Sequence, residues 1–324
     1  MPQTAAIPFQ LGVNYPWLNY AQDFGAGPHG HRGFSLSENH SRVDQEFLRI
    51  RDSGAAVVRW FLFGDGRAGF LTEKGIPRKP DAFLFKDVAA ALSLAESYGL
   101  KFCFSLIDFL WLQDHGGKRT GQANELLMQF VAGREAFLEH ILIPLFREFR
   151  AHPALFAWEI ANEPEWAIRE FHLEPAAKMH LADFRVFAEE VARAVHEFGE
   201  VPVTLGSARL CWVRAWHELG LDFYQAHYYP SVKGETGPEL RQQLVALGSL
   251  DGPLWLGELP ARDASPQYSL EKALNDCREA GLCGAAVWRW TKPEETGSDI
   301  SIGCVEPASL RAWARQRRAR EASS

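Results

Sequence analysis

The sequence predicts an α/β fold of the (β/α)8 TIM-barrel type, built as a single domain over residues 1–324. The chain alternates short β-branched or aromatic runs with longer helical patterns, and it contains eight such runs. Eight strand–helix units in 324 residues leave no room for a second domain. An open doubly wound sheet is the alternative, but the glycine-rich segment at residues 25–33 lacks the spacing of a phosphate-binding loop.

The eight predicted strands are short apolar runs bounded by turn residues. They cover residues 9–15, 56–63, 100–108, 155–162, 201–207, 221–229, 253–259 and 284–290. Each is followed by a stretch with helical character, at residues 37–54, 85–99, 123–152, 174–199, 209–220, 237–250, 269–281 and 307–320. In a barrel of this kind the chemistry lies at the carboxyl ends of the strands, so reactive residues are expected there.

Composition and charge narrow the possible function classes. A net charge of −7 argues against a nucleic-acid partner, because such a protein needs a basic face to neutralise phosphates. The basic cluster at residues 311–320 has the spacing of a solvated helix face. No apolar run reaches the length of about 18 residues expected of a membrane span. We therefore expect a globular protein with no nucleic-acid or membrane partner.

The N-terminus and the cysteines indicate the compartment. The first residues lack a basic segment, an apolar segment and a small-residue cleavage site, so we expect no secretion signal. Five cysteines are few and odd in number, which fits reduced thiols rather than a disulfide framework, and they lack zinc-ligand spacing. These features predict a cytoplasmic protein that uses no metal or cofactor, and we expect it to be a monomer or homodimer.

Two glutamates lie at the ends of predicted strands. The fourth strand ends with Asn162 and Glu163, followed by Pro164, and the seventh ends at Glu258, followed closely by Pro260. Both carboxylates therefore face one cleft. Glycoside hydrolysis needs such a pair, one acid to protonate the leaving oxygen and one carboxylate to attack the anomeric carbon or activate water. A single glutamate at a strand end is equally explained by an ion pair or a helix cap.

Other strand ends carry polar and aromatic side chains. His227 and Tyr229, two residues apart on the sixth strand, project to the same side. Arg59 lies within the apolar second strand, where an unpaired guanidinium would be costly to bury. Trp288 and Trp290, again two apart on the eighth strand, are suited to lie against a sugar ring.

Structural explanations compete with these interpretations. Arg59 would also serve to balance a buried carboxylate such as Glu159, and tryptophans in strands commonly fill the core. The long first βα loop is equally ambiguous. Its polar and aromatic residues either cap a sugar-binding site or belong to a loop held by its own aromatic rings, namely Asn14, Trp17, Asp23, His29 and His31.

Several segments resemble glycoside hydrolase family 5 and its clan A relatives. Residues 155–166, LFAWEIANEPEW, resemble the fourth-strand signature in the WELANEP form seen in β-mannanases. Residues 50–63 resemble the segment from the first helix to the second strand, HYYP at 227–230 the His-x-Tyr of the sixth strand, and WLGEL at 255–259 the strand that carries the nucleophile. The ordered set spans residues of roughly 12 to 290 and implies a (β/α)8 barrel.

The resemblance assigns roles to the carboxylates and their neighbours. It implies that Glu163 is the acid/base and Glu258 the nucleophile. Asn162 would hold the sugar 2-hydroxyl. Arg59 would keep Glu258 ionised, and Tyr229 would donate a hydrogen bond to it. Retention of configuration follows from these roles, with carboxyl groups about 5 to 5.5 Å apart.

The resemblance extends to two more site residues and also shows departures. His227 would line the subsite beside the cleaved bond, and Trp288 would form its floor. Many cellulases of this family end the third strand in Asp-x-His, whereas this chain has Asp108 followed by Leu110. Asp108 therefore remains a candidate substrate-binding residue, and the cellulase assignment loses support. Pro260 replaces a glycine often found two residues beyond the nucleophile.

The sequence thus predicts a retaining glycoside hydrolase acting on β-linked oligosaccharides or polysaccharides, with β-mannan as the first expectation and β-glucan as the second. Two alternatives belong to other classes. A metal-dependent amidohydrolase-like barrel would use the His-x-His pair at His29 and His31. A non-catalytic barrel would bind carbohydrate through the same aromatic and acidic residues.

Overall fold

The structure is a computed structural model that describes most of the chain. The described residues are 9–27, 32–33, 35–112, 131–174, 177, 179–231, 239–263, 265, 267–290 and 304–321. Within them, none of the helices has the length and apolar character needed to traverse a lipid bilayer.

Eight parallel strands close into a barrel, which confirms the predicted fold class. The strands of the described residues are β1 Gln10–Asn14, β2 Val57–Phe61, β3 Phe70–Glu73, β4 Ile76–Pro80, β5 Lys101–Asp108, β6 Leu155–Asn162, β7 Val203–Ser207, β8 Tyr224–His227, β9 Leu254–Pro260 and β10 Gly284–Trp288. The barrel order is β1, β10, β9, β8, β7, β6, β5 and β2, and β2 pairs with β1 to close the circle. Each of the eight predicted strands overlaps one of these barrel strands.

Strands β3 and β4 form an antiparallel hairpin outside the barrel, and the sequence analysis did not predict it. Lys74 and Gly75 connect the two strands, with φ values of 51° and 80°. Two successive positive φ values match the turn that joins right-twisted strands most tightly. The hairpin was missed because its strands are short and lack a clear alternation of apolar and polar residues.

Helices surround the barrel. They are α1 Leu36–Ser53, α2 Leu84–Ser97, α3 Phe109–Leu112, α4 Val131–Phe137, α5 Ile143–Glu148, α6 Leu181–Phe198, α7 Leu240–Leu247, α8 Leu270–Glu279 and α9 Pro307–Glu321, with a π-helical segment at Leu138–Leu142 and 3-10 helices at Pro164–Trp166, Arg169–Phe171 and Leu210–Trp216. In α1, the buried residues Val43, Phe47 and Ile50 follow helical spacing, and Gly54 ends the helix in a left-handed conformation.

Two predicted helices need correction. The helix predicted over residues 209–220 is a 3-10 helix, and the one predicted over 174–199 begins only at Leu181. The segment before Leu181 instead contains a single parallel bridge between Ile168 and Met179. Residues 123–130 of the third predicted helix lie outside the described part of the chain.

Inward-facing side chains form layers along the barrel axis. The layer nearer the amino ends of the strands is apolar. It consists of Val57, Cys103, Ala157, Phe223, Trp255, Cys283 and Ala286. Because side chains alternate along a strand, the residues two positions further on also point inward. On β2, β5 and β6 these are Arg59, Ser105 and Glu159, all fully buried. The barrel interior therefore changes from apolar to charged towards the carboxyl ends of the strands, where the candidate site lies.

Candidate active site

The two predicted carboxylates lie near the carboxyl ends of β6 and β9, which are separated in the barrel by β7 and β8. Glu163 directly follows β6 and adopts a left-handed backbone conformation, with φ 46° and ψ 48°, and its N–H donates to the carbonyl of Gly206 at 2.7 Å. Glu258 lies inside β9, in register with His227 of β8. A left-handed conformation at a non-glycine residue is a strained arrangement often found at functional positions.

His227 bridges the two carboxylates. Its Nδ1 lies 2.7 Å from Oε1 of Glu163 and 3.5 Å from Oε1 of Glu258. One ligand atom of each of the three side chains lies within 4.8 Å of the others. Retaining glycosidases place their carboxyl groups about 5 to 5.5 Å apart, whereas inverting enzymes separate them by about 6.5 to 9.5 Å. The separation therefore agrees with the expected retention of configuration.

Glu258 is held by a cation and a phenol. Nη1 of Arg59 donates to its Oε1 at 2.7 Å, and the Tyr229 hydroxyl donates to its Oε2 at 2.5 Å. Burial, together with the Glu258 charge, raises the pKa of Tyr229 well above its usual value, so the hydroxyl keeps its proton and remains a donor. A described donor therefore holds each carboxylate oxygen of Glu258.

Arg59 fulfils both interpretations that the sequence left open. Its Nε and Nη2 donate to Glu159 at 2.6 and 2.5 Å, while Nη1 reaches Glu258. Burial alone would lower the pKa of Arg59, but the charges of Glu159 and Glu258 raise it above its usual value. The guanidinium therefore stays charged and links a structural carboxylate to a candidate catalytic one.

Two asparagines complete the arginine network. Asn14 accepts from Nη1 of Arg59 at 2.9 Å and donates to the carbonyl of Gly257 at 2.8 Å. Asn162 accepts from Nη2 of Arg59 at 2.7 Å and donates to Asp108 at 3.1 Å. Asn14 was predicted to contact substrate, but its side chain is fully buried behind Arg59, where it orients the guanidinium.

Asp108 is a third carboxyl group close to the pair. Its two oxygens accept from Tyr20 at 3.0 Å and from Asn162 at 3.1 Å. Burial, with smaller contributions from the charges of Glu163 and Glu258, raises the pKa of Asp108 to about 7 against the lowering effect of its hydrogen bonds to Asn162 and Tyr20. This residue is almost fully buried, and its role as a substrate-binding residue stays a prediction.

Glu163 has different partners. His227 contacts its Oε1, and the indole N–H of Trp166 donates to its Oε2 at 2.8 Å. Trp166 ends the one-turn 3-10 helix that starts at Pro164, and its backbone N–H also donates to the Glu163 carbonyl at 3.2 Å. The described partners of Glu163 are thus an imidazole and an indole, in contrast to the guanidinium beside Glu258.

An aromatic wall lies at the ends of β1 and β10. Trp17 packs edge-on against Trp288, with ring centroids 6.0 Å apart, and against Tyr20 and Phe61 at 4.9 and 5.5 Å. Trp17 and Trp288 are both partly exposed. Their partly exposed rings form an apolar surface at this part of the barrel, and its binding of a sugar ring stays a prediction.

Trp290 does not belong to this wall, so its prediction as a substrate-binding residue was wrong. Its side chain is 6% exposed, and its indole donates to Glu46 of α1 at 2.6 Å. Strand β10 ends at Trp288. The alternation that would place Trp288 and Trp290 on one side therefore stops before Trp290.

The first βα loop is held by its own contacts around Asp23. This carboxyl group accepts from the backbone N–H groups of Leu18 and Asn19 at 2.7 Å and from the indole of Trp60 at 2.9 Å. Burial raises the pKa of Asp23 to about 7. Asp23 therefore has a structural role, while Trp17 of the same loop faces the site. His29 and His31 lie outside the described residues.

The sequence analysis assigned no role to Glu165 or Trp166. Glu165 is fully buried and accepts from Ser207, the N–H of Ala208 and the indole of Trp216, so it anchors the loop after β6. Burial raises its pKa. The contact from Trp166 to Glu163 was not predicted, although their separation of three residues is the spacing that brings side chains together across one helical turn.

One cluster of described residues has the geometry to hold a metal ion. Glu163, His227 and Glu258 each offer a ligand atom within 4.8 Å of the others. The same atoms are engaged by Arg59, Tyr229 and Trp166, and a cation beside Arg59 would meet a like charge. The amidohydrolase-like alternative depends on His29 and His31, which lie outside the described residues.

Comparisons with known proteins point to mannan-degrading enzymes. The mannan endo-1,4-β-mannosidase of Mytilus edulis is 27% identical over 329 residues, which cover 88% of this chain and 84% of that protein. The enzyme of the same name from Cryptopygus antarcticus is 24% identical over 342 residues, covering 90% and 82%. No protein-family model matches the chain. The predicted resemblance to family 5 glycosidases of the β-mannanase kind is confirmed by these relatives.

Solved structures agree on the fold. The β-mannanase of the blue mussel Mytilus edulis superposes with a TM-score of 0.73 at 21% identity, covering 96% of this chain and 92% of that one. The β-1,4-mannanase of the sea hare Aplysia kurodai gives 0.74 at 20% identity, covering 92% and 95%. Both are similar to this chain over nearly the whole barrel.

Proposed function

We propose that Glu163 and Glu258 hydrolyse a β-mannosidic bond by double displacement in this chain, which is an O-glycosyl hydrolase related to the mannan endo-1,4-β-mannosidases. The observation that carries the proposal is the pair of carboxylates, with oxygens within 4.8 Å of each other and unequal surroundings. A nucleophile must be ionised before reaction, whereas an acid must be able to hold a proton.

In the first step Glu258 attacks the anomeric carbon. Oε1 and Oε2 of Glu258 are bound by Arg59 and Tyr229, which orient the carboxylate for the attack. Glu163 gives its proton to the glycosidic oxygen as the bond to the leaving sugar breaks. A covalent ester between the remaining sugar and Glu258 results.

In the second step the roles of Glu163 reverse. Its carboxylate removes a proton from water, the water oxygen attacks the anomeric carbon, and the ester bond to Glu258 breaks. Two inversions at the same carbon restore the β configuration. Nδ1 of His227 lies 2.7 Å from Glu163 and 3.5 Å from Glu258, so the imidazole holds the two carboxylates at a fixed spacing through both steps.

Substrate contacts follow from the layout of the mouth. Asn162 uses its Oδ1 and one Nδ2 hydrogen within the network, which leaves its second Nδ2 hydrogen for a sugar hydroxyl. The exposed faces of Trp17 and Trp288 provide stacking surfaces for a pyranose ring. The relatives' named substrate, mannan, makes β-1,4-linked mannose units the first choice, and β-glucan the second.

Hydrolysis of a panel of manno-, gluco- and xylo-oligosaccharides tests this proposal. The wild type should release reducing ends from manno-oligosaccharides, and Glu163→Gln and Glu258→Gln should lower the rate by roughly 100-fold or more. Proton NMR of the first product formed should show the β anomer. Release of the α anomer, or equal rates for wild type and both variants, would contradict the proposal.

A further inference from the structure

Trp166 lies beside Glu163, the proposed acid/base residue. Its side chain folds back towards Glu163, three residues earlier in the chain. Its indole N–H donates to Oε2 of Glu163 at 2.8 Å. The fold imposes this contact: Glu163 is left-handed, Pro164 starts the 3-10 helix, and Trp166 closes the turn with its backbone N–H on the Glu163 carbonyl. The ring is further held by Phe109 of α3, at a centroid distance of 6.2 Å.

We propose that Trp166 is a positioning residue that sets the orientation and proton affinity of Glu163; this rests on the acid/base role proposed for Glu163. An indole N–H is a donor only, so it can bind a lone pair of Oε2 but cannot receive a proton from it. The contact therefore favours the ionised carboxylate over the acid. It also directs the proton of the acid form away from the lone pair that the indole occupies.

The two oxygens of Glu163 are consequently held from different sides. His227 contacts Oε1, and its Nδ1 can donate or accept a hydrogen bond according to the tautomer. Trp166 contacts Oε2 and can act only as a donor. The side chain of Glu163 is 8% exposed, so water does not replace a lost partner easily. Removing the indole donor should leave Glu163 less well oriented and should make its acid form more stable.

The test is Trp166→Phe, which removes the N–H and keeps an aromatic ring beside Phe109. Two substrates separate acid catalysis from binding: a manno-oligosaccharide, whose leaving sugar needs protonation, and 2,4-dinitrophenyl β-mannobioside, whose leaving group does not. For the variant, kcat/KM should fall roughly tenfold on the oligosaccharide. It should change less than about twofold on the aryl substrate.

The pH profile gives a second readout that loss of packing would not move. The alkaline limb of kcat/KM on the oligosaccharide should shift upward by roughly half to one pH unit in Trp166→Phe, because the donor that favours ionised Glu163 is gone. Phe109→Leu, which loosens the ring but keeps the N–H, should leave the limb in place. Trp313→Phe, a remote indole that donates to Asn275, controls for the substitution itself.

Equal losses on both substrates with an unmoved limb would overturn the proposal and assign Trp166 a structural role. If Trp166→Phe does not fold, site-specific replacement of Trp166 by 3-benzothienylalanine, in which sulfur replaces the N–H, repeats the test with the ring shape kept. The proposed function fails separately: Glu163→Gln with undiminished hydrolysis would refute the acid/base role, whatever Trp166→Phe does.

Discussion

The surroundings of Glu258 and Glu163 differ in charge and construction. Glu258 lies inside a strand and binds Arg59 and Tyr229, and the same guanidinium extends to Glu159 below. Glu163 lies one residue beyond its strand, in a left-handed conformation, and contacts an imidazole and the indole of Trp166. One carboxylate is built into the barrel interior, and the other is held by a short turn at its mouth.

This difference predicts two kinds of response to substitution. Changes around Glu258 should affect stability as well as catalysis, because they disturb a buried network of opposite charges. Changes around Glu163 should affect catalysis and leave folding nearly unchanged, because its turn lies at the mouth of the barrel. Trp166→Phe tests the Glu163 side of this contrast. The following substitutions test the Glu258 side and the rest of the mouth, starting with the largest expected effect.

Arg59→Met should have the largest effect. It removes a fully buried cation and leaves the charges of Glu159 and Glu258 without compensation. We expect the free energy of unfolding to fall by about 3 to 5 kcal/mol and hydrolysis to drop below detection. Urea unfolding followed by tryptophan fluorescence measures the first effect. Arg49→Met removes an exposed arginine paired with Glu46 and should change stability by less than about 0.5 kcal/mol.

Tyr229→Phe should lower the rate with a smaller loss of stability. The variant lacks the hydroxyl that donates to Oε2 of Glu258 at 2.5 Å, so the nucleophile loses one of its two described donors. We expect kcat to fall roughly 10- to 100-fold on oligosaccharide and aryl substrates alike. Tyr224→Phe is the matched control, because its hydroxyl donates to Asp251 at 2.6 Å on the opposite end of β8. A loss of rate confined to the oligosaccharide would contradict this role and would indicate that Tyr229 assists proton donation by Glu163 instead.

Asp108→Asn should change the pH dependence of stability. Because burial raises the pKa of Asp108 to about 7, the folded protein keeps a proton that the unfolded chain releases near pH 4. Its contribution to stability is present below about pH 4 and is lost as the pH rises through about 7. Asparagine does not titrate and can keep both contacts, through Oδ1 to Asn162 and through Nδ2 to Tyr20.

The stability of Asp108→Asn relative to wild type should therefore rise between about pH 4 and about pH 8, as measured by urea unfolding. The exposed carboxylate Asp52 supplies the control, since Asp52→Asn should show a constant difference over the same range. A constant difference for Asp108→Asn would contradict the burial-driven shift and would weaken the description of Asp108 as a third, proton-bearing carboxyl group.

Trp290→Phe should have the smallest effect. Its indole binds Glu46 on α1 and not the cleft, so KM for a manno-oligosaccharide should change less than about twofold. Trp288→Ala, which removes the exposed ring beside Trp17, should raise KM roughly tenfold or more, because a stacking surface is lost. If Trp290→Phe raised KM as strongly as Trp288→Ala, the aromatic wall would have to include Trp290.

Much of the site was predictable because strand geometry is periodic. The ends of parallel strands share one edge of a barrel, so Glu163, Glu258 and Tyr229 were expected to meet, and contacts join each of them to the network. Arg59 was recognised from its unusual place in an apolar strand. Its two possible partners were both correct, because one guanidinium has enough donors to bind Glu159 and Glu258 together.

The residue assignments that failed lie where the two-residue alternation of a strand ends or where the chain turns back. Trp290 was assigned to the cleft by continuing the alternation of β10 beyond its last residue. Trp166 was left without a role because its contact depends on the left-handed backbone of Glu163, which no local pattern announces. Asn14 was offered as a residue that caps a sugar site or belongs to a self-supporting loop, whereas it lies in an arginine network formed from strands far apart in sequence.

Covalent trapping most directly tests the claim that Glu258 is the nucleophile and Glu163 the acid/base. Incubation with 2-deoxy-2-fluoro-β-mannosyl fluoride, which forms the glycosyl ester quickly and hydrolyses it slowly, should add one sugar to the protein. Peptide mapping by mass spectrometry should then place the label on Glu258, and Glu163→Gln should lose label more slowly than wild type. Label on Glu163, or turnover of the reagent in Glu258→Gln at the wild-type rate, would contradict the account.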